Sequence, residues 1–177
     1  SPASAIAEGV GYVPEDRLTE GLFLEKPIQD NITLPVLDRL RNALGMISQT
    51  RARRLAEGQI ADLQIVAPDV TVPVQSLSGG NQQKVVIGKM LATQPRVIML
   101  DEPSRGIDIG AKAEVFRLLA EGALKGLAVV YSTSEVSECL SIAHRIIVMH
   151  KGRISAEFDS SVSKEQIMAA SGESMAA

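Results

Sequence analysis

The sequence has a single cysteine, no apolar run of bilayer length and no excess of basic charge, and each absence removes a class of protein. Cys139 cannot close an internal disulfide, and its apolar neighbours predict a small core or half-buried thiol rather than a reactive one. The apolar stretches, such as residues 85–87 and 97–100, fall far short of the roughly 20 residues that a spanning helix requires. A formal net charge of -3 and a pI near 5.5 leave no basic face for counterion release, so no nucleic-acid partner is expected. The opening Ser1-Pro2-Ala3-Ser4 lacks the basic and then apolar regions of a signal peptide, and a cytoplasmic compartment fits. There is no initiator Met, so the start reads as a cut in a longer chain. What remains, 177 residues with 45% hydrophobic and 22% charged, suffices for one globular domain with a real core.

Residues 9–14 (GVGYVP) read as a short strand ending in a turn, with Glu15-Asp16-Arg17 just beyond. A loop holding Gly21 and Pro27 follows. Helical spacing then runs over residues 28–94: Val36, Leu37, Leu40, Leu44 and Ile47 form one stripe, and Ala52, Leu55, Ala56, Ile60 and Leu63 a second. This predicts a small helical subdomain, with Arg51, Arg53 and Arg54 on a solvated face. After Pro95 short apolar runs alternate with amphipathic segments, which predicts βαβ units and a parallel sheet. Strands are expected at 97–100, 127–132 and 145–149, helices at 111–121 and 135–142, and Lys151-Gly152 turns into a last strand at 153–158. A helix at 164–170 precedes a Gly/Ser/Ala tail expected to fray.

Two segments carry chemistry. Leu77-Ser78-Gly79-Gly80-Asn81-Gln82-Gln83-Lys84 precedes an amphipathic helix running to about Ala92. Two glycines let backbone N–H groups approach an anion, Ser78 adds a hydroxyl, and the helix dipole points its positive end there. Alone, such a segment is more often an ordinary cap and turn. The second segment, residues 97–103 (VIMLDEP), is a buried strand ending in two carboxylates. At the carboxyl end of a parallel strand these stand in the ligand crevice of an α/β sheet, Asp101 suited to a Mg²⁺ shell and Glu102 to polarising an attacking water. Alone, this too is an ordinary turn with Pro103 as breaker. The two together, about twenty residues apart and in this order, favour the functional reading.

LSGGNQQK followed by VIMLDEPSRGID resembles the signature motif, Walker B segment and D-loop of ABC ATPases, and the likeness extends over nearly the whole chain. The resemblance implies a P-loop NTPase-like α/β fold with an inserted helical subdomain. The strand and Q-loop-like segment would occupy residues 1–27, the helical signature subdomain 28–94, and the Walker B, D-loop and switch part of the core 95–177. In that family two nucleotide-binding domains sandwich two ATP molecules, each closed by the partner's signature and D-loop. Ser78, Gly79, Gly80 and Gln82 would then serve ATP held by the other domain, Asp108 would match the D-loop aspartate, Asp101 would hold Mg²⁺ through water, and Glu102 would be catalytic. Residues 11–17 (GYVPEDR), 105–112 (RGIDIGAK) and 132–135 (STSE) resemble the second of two tandem ATPase domains in bacterial importers of ribose, xylose or galactose. Such a protein sits on the cytoplasmic face of the inner membrane, with permease subunits and, indirectly, a periplasmic sugar-binding protein as partners. The amphipathic segment 28–64 would carry the groove for a permease helix.

The family pattern is broken in three places. No Gly-x-x-x-x-Gly-Lys-Ser/Thr occurs, so the chain resembles a domain without its N-terminal P-loop portion, and it is expected to bind ATP weakly or not at all by itself. Glu15 stands where a Q-loop glutamine is usual, and Ser134 where the family has a switch histidine; His144 and His150 flank a later strand and read as surface or strand-end residues. Both replacements would fall in the site built on this domain's own P-loop. That implies a slow or degenerate site of its own and an intact signature acting across the interface. A sheet deprived of its first strands would expose edges and apolar faces, which predicts self-association or a partly disordered N-terminal region. Two rivals remain: a non-transport ABC head, whose usual coiled coils, zinc modules and basic faces do not occur here, and a non-catalytic interaction fragment.

Overall fold

The computed structural model describes residues 1–172; of the tail expected to fray after residue 170, Ser171 ends a helix and Gly172 caps it, and the rest lies outside the described residues. The chain forms two compact units, Ser1–Ser132 and Thr133–Ala177.

Three parallel strands form the first unit's sheet: β1 (Val10–Val13), β2 (Val97–Asp101) and β3 (Ala128–Ser132), in the order β1-β2-β3. Val13 pairs with Leu100 and Leu100 with Tyr131, so the inward-pointing residues of all three strands line one face. There Val13, Ile98 and Leu100 are buried. Helix α4 (Gly79–Leu91) lies against β1, close enough that a Cβ on Gly11 would stand 3.4 Å from Met90 Cβ. Helix α5 (Ile109–Leu124) covers β3, with Phe116 set edge-on to Tyr131 and Val115 and Leu119 buried. Buried Lys84 ties α4 to α5 through an ion pair with Glu114, and donates to the Gln64 carbonyl at 3.0 Å. On the opposite face the registered trio Tyr12, Met99 and Val130 is 50%, 42% and 50% exposed. Parallel sheets ordinarily have both faces covered.

The N-terminus, for which partial disorder was one expectation, is helical: α1 (Pro2–Ala7) starts from a capping box between Ser1 and Ser4. The helical subdomain begins with α2 (Ile28–Thr33), continues as a 3₁₀ segment (Leu34–Leu40) and resumes in α3 (Gln49–Asp62). Ala52, Ala56 and Leu63 are buried, as their spacing predicts. The first predicted stripe stops at Leu40. Asn42 Oδ1 accepts from the N–H groups of Leu44 and Met46, Gly45 takes a left-handed backbone, and Leu44 ends 80% exposed. An Asx-type turn thus outcompetes the helix that the apolar spacing suggested. The basic run is solvated as expected, with Arg53 bridging Glu57 and Asp69 at 2.8 Å each.

The second unit holds α6 (Val136–Ile142), β4 (Arg145–His150), β5 (Arg153–Asp159) and α7 (Lys164–Ser171). The strand expected at 145–149 as part of a parallel sheet instead pairs antiparallel with β5. Lys151 and Gly152 both have positive φ, 48° and 76°, the tight two-residue turn that folds a strand back on its neighbour. Cys139 is half-buried and packs in the apolar cluster of Ile146, Val148 and Ile167. His144 is exposed, and His150 ends β4 with its Nδ1 2.6 Å from the Ser171 carbonyl.

Candidate functional site

Ser78 caps α4: its Oγ accepts from the Asn81 N–H at 3.4 Å and from Asn81 Nδ2 at 3.0 Å. Asn81 Oδ1 in turn accepts from the Val66 N–H at 2.9 Å, so the cap is moored to the segment after α3. Ser78 itself is exposed. The glycines that follow have a packing reason beyond anion approach. A Cβ on Gly80 would stand 2.5 Å from Ala111 Cβ, and one on Gly79 would stand 3.1 Å from Arg17 Nη2 and 3.3 Å from the Gly106 carbonyl oxygen. Gln82, expected among the ligand-facing residues, is buried and donates from Nε2 to the Leu77 carbonyl at 3.2 Å. Its side chain braces the approach to the cap.

At the carboxyl end of β2 the chain delivers Asp101 and Glu102. The Glu102 N–H donates to the Ser132 carbonyl at 2.9 Å, which fastens this end of β2 to β3. Glu102 has φ 42°, a left-handed backbone rarely adopted by a residue with a side chain, and the Arg105 N–H donates to its carbonyl at 3.0 Å. Buried Pro103 and Ser104 hold the turn. Asp101 Oδ2 accepts from the Tyr12 hydroxyl at 3.4 Å, and partial burial, followed by the charge of Asp101, pushes that phenol above its ordinary pKa.

The loop 104–108 passes beside the cap. Gly106, at φ 69°, turns it, and Asp108 caps α5 by accepting from the Ala111 N–H at 2.9 Å. Glu15 forms an ion pair with Arg105. Arg17 donates to the carbonyls of Arg105 at 2.8 Å and Gly106 at 3.1 Å. The first unit therefore links Ser78, Gly79 and Gly80 to the acidic strand end through the loop and the Glu15–Arg17 segment. Ser134 belongs to the second unit, exposed just ahead of α6, where Thr133 Oγ1 donates to Glu138 at 2.8 Å. Sequence reasoning passed over Tyr12 and Arg17. Their signal was position, since both lie within or just past the β1 strand whose carboxyl end borders the site.

The chemistry of the donor set suits a magnesium nucleotide. Mg²⁺ is held by one or two carboxylates with phosphate oxygens and waters completing its shell, and Asp101 and Glu102 supply such a pair at the strand end. Among the described residues no group of three or more His, Cys, Asp or Glu forms an all-protein metal cage. The two glycines stand in the first turn of α4, where a helix presents backbone N–H groups of the kind that bind anions.

The sequence profile described as ABC transporter matches residues 2–105. The chain is 46% identical over 171 residues to the ribose import ATP-binding protein RbsA of Chromobacterium violaceum, covering 96% of this chain and 34% of that protein. It is 46% identical over 175 residues to a putative ribose/galactose/methyl galactoside import ATP-binding protein of Agrobacterium fabrum, covering 98% of this chain and 35% of that relative. The chain thus spans about a third of the length of these curated relatives. Among solved structures, a dimeric ATP-binding cassette in a post-hydrolysis state bound to ADP and Pi shares the fold, with a TM-score of 0.73 and 24% identity over 86% of this chain and 63% of that one.

Proposed function

Because this chain belongs to the ABC transporter family, we propose that it supplies the signature, catalytic-carboxylate and D-loop part of a nucleotide-binding domain that powers sugar import. The observation that carries the proposal is the joined arrangement of cap and acidic strand end: Gly79 packs on the loop that leaves Glu102. In this reading Ser78, Gly79 and Gly80 close on ATP held by a partner domain, while Asp101 and Glu102 serve this domain's own nucleotide. Asp101 holds Mg²⁺ through water, and Glu102 orients a water for attack. When bound, Mg-ATP supplies the phosphoanhydride whose cleavage drives transport. Gln82 and Asp108 act by shaping: one braces the approach to the cap and the other starts α5 beside it.

The assignment of boundaries follows the same reading: residues 1–27 as strand and Q-loop-like segment, 28–94 as the signature subdomain and 95–177 as the rest of the core. The bare sheet face around Tyr12, Met99 and Val130 is where further parts of such a domain would pack. The partners are a second nucleotide-binding domain, permease subunits and, through them, a sugar-binding protein; the site of action is the cytoplasmic face of the inner membrane. Names of the relatives point to ribose or galactose as cargo. No helix of the described residues is long and apolar enough to cross a membrane, which suits a peripheral role.

Glu15, engaged by Arg105, stands where the family has a glutamine, and Ser134, in the second unit, stands where it has a histidine. We expect the domain's own site to turn over slowly, while the signature closes a competent site across the interface. Comparing Glu102→Gln with Gly79→Asp in the full transport ATPase tests this. The second should abolish most turnover and the first little; equal loss would refute the asymmetry. The 177-residue chain titrated calorimetrically with Mg-ATP should show no stoichiometric micromolar binding.

A further inference from the structure

We propose that Arg17 is a positioning residue that fixes the 104–108 loop against signature Gly79, so that the segment behind β1, the loop and the cap of α4 move as one body. The inference rests on the function proposed above.

Arg17 follows β1 and opens a single π-helical turn (Arg17–Gly21). Asp16 caps that turn, its Oδ1 accepting from the N–H groups of Leu18 at 3.0 Å and Thr19 at 3.3 Å, which fixes the backbone from which Arg17 departs. The guanidinium then spans two consecutive carbonyls, Nη1 on Arg105 and Nη2 on Gly106. Both are charge-assisted bonds, and the planar fork sets the spacing of its two acceptors, which a lysine ammonium cannot do. Left-handed Gly106 presents its carbonyl to this fork. The same carbonyl oxygen and Arg17 Nη2 are the two nearest atoms to a Cβ built on Gly79. Three distant parts of the chain thus meet at one guanidinium.

Glu15 adds a second tie to the same loop residue, since its carboxylate pairs with the Arg105 side chain while Arg17 holds the Arg105 carbonyl. Arg17 Nε is buried without a hydrogen-bond partner, so the side chain is kept in place by its two terminal nitrogens. Its two hydrogen bonds go to backbone carbonyls of the loop and not to a carboxylate. Its effect on turnover is therefore indirect: it holds the loop that leaves Glu102 in register with the cap that faces the other nucleotide.

The test uses the full-length transport ATPase containing this chain, with Arg17→Lys, Arg17→Ala and, as an exposed control, Arg54→Lys. Steady-state hydrolysis gives kcat and KM, and hydrogen exchange follows the backbone of residues 104–108. Both Arg17 variants should lose about tenfold in kcat at near-constant KM, as a misplaced but unbroken site does. Exchange in the loop should speed up while β2 stays protected, and lysine should not rescue. Unchanged kcat or unchanged loop protection in both variants overturns the proposal. So does faster exchange throughout β2 and α4 with full rescue by lysine, which marks a structural role only. If the unsubstituted protein hydrolyses no ATP, the proposed function fails, and loop exchange still decides the role of Arg17.

Discussion

Substituting Gly80 by alanine should destabilise the chain, although alanine is the better helix former. The added Cβ would meet Ala111 Cβ at 2.5 Å with the Ala111 Cα at 3.8 Å. Carbon atoms at rest sit near 3.5–4.0 Å apart, so α4 and the start of α5 must separate by about an ångström. Neither atom is the end of a rotatable side chain, and Asp108 and the Lys84–Glu114 pair resist the movement. Overpacking of this kind costs about 1–3 kcal/mol, and the helix gains at most about 1 kcal/mol from losing a glycine. A 2.5 Å contact belongs at the upper end of that range, about 2–3 kcal/mol, so the net loss is about 1–2 kcal/mol, a fall of roughly 2–8 °C in Tm for a chain of this size. Thermal or urea unfolding of the 177-residue chain reads it. Adding Ala111→Gly removes the collision, so the two substitutions should couple by about 1–2 kcal/mol in a double-mutant cycle. Gly88→Ala is the internal contrast, because the one atom its Cβ would crowd is the Leu63 Cδ1 methyl, which can rotate away, while Gln59 lies at ordinary contact distance. A Gly80→Ala chain as stable as the parent, or strictly additive effects, would refute the packing argument and leave the phosphate role as the sole reason for that glycine.

Asn31, fully buried, accepts from the Phe23 N–H at 2.8 Å and donates to the carbonyls of Phe23, Lys26 and Pro27; Asn31→Ala should cost about 2–4 kcal/mol in urea unfolding and loosen the loop before α2. The Thr19 hydroxyl and N–H, with lesser help from the Leu18 N–H and Arg17, hold the Asp16 carboxyl below its ordinary pKa. A depressed carboxylate stabilises the fold fully above the unfolded value near 3.8 and loses that contribution as pH falls through the lower folded value. Comparing Asp16→Asn with the parent across acid pH should show a stability difference that narrows in that window. The exposed trio on the sheet predicts concentration-dependent association of the isolated chain; light scattering should show it, and Val130→Lys should shift it toward monomer.

Local patterning made most of this protein legible. The apolar runs at β2 and β3, the stripe of α3 and the Ser78 cap each declare themselves over a few residues, because burial periodicity and capping are short-range. The motifs declared the family, since their spacing is linear along the chain. The misreadings arose where local hydrogen bonding outcompeted periodicity, as Asn42 did at Leu44, or where a two-residue turn set strand direction, as Lys151-Gly152 did for β4. Only tertiary structure could decide why Gly79 and Gly80 are glycines, why Gln82 turns inward, and what Arg17 holds. Those answers depend on contacts between segments that sequence separates and the parallel sheet brings together: β1 and β2 lie side by side, so residues 15–17 and 104–106 leave the same edge and meet above it.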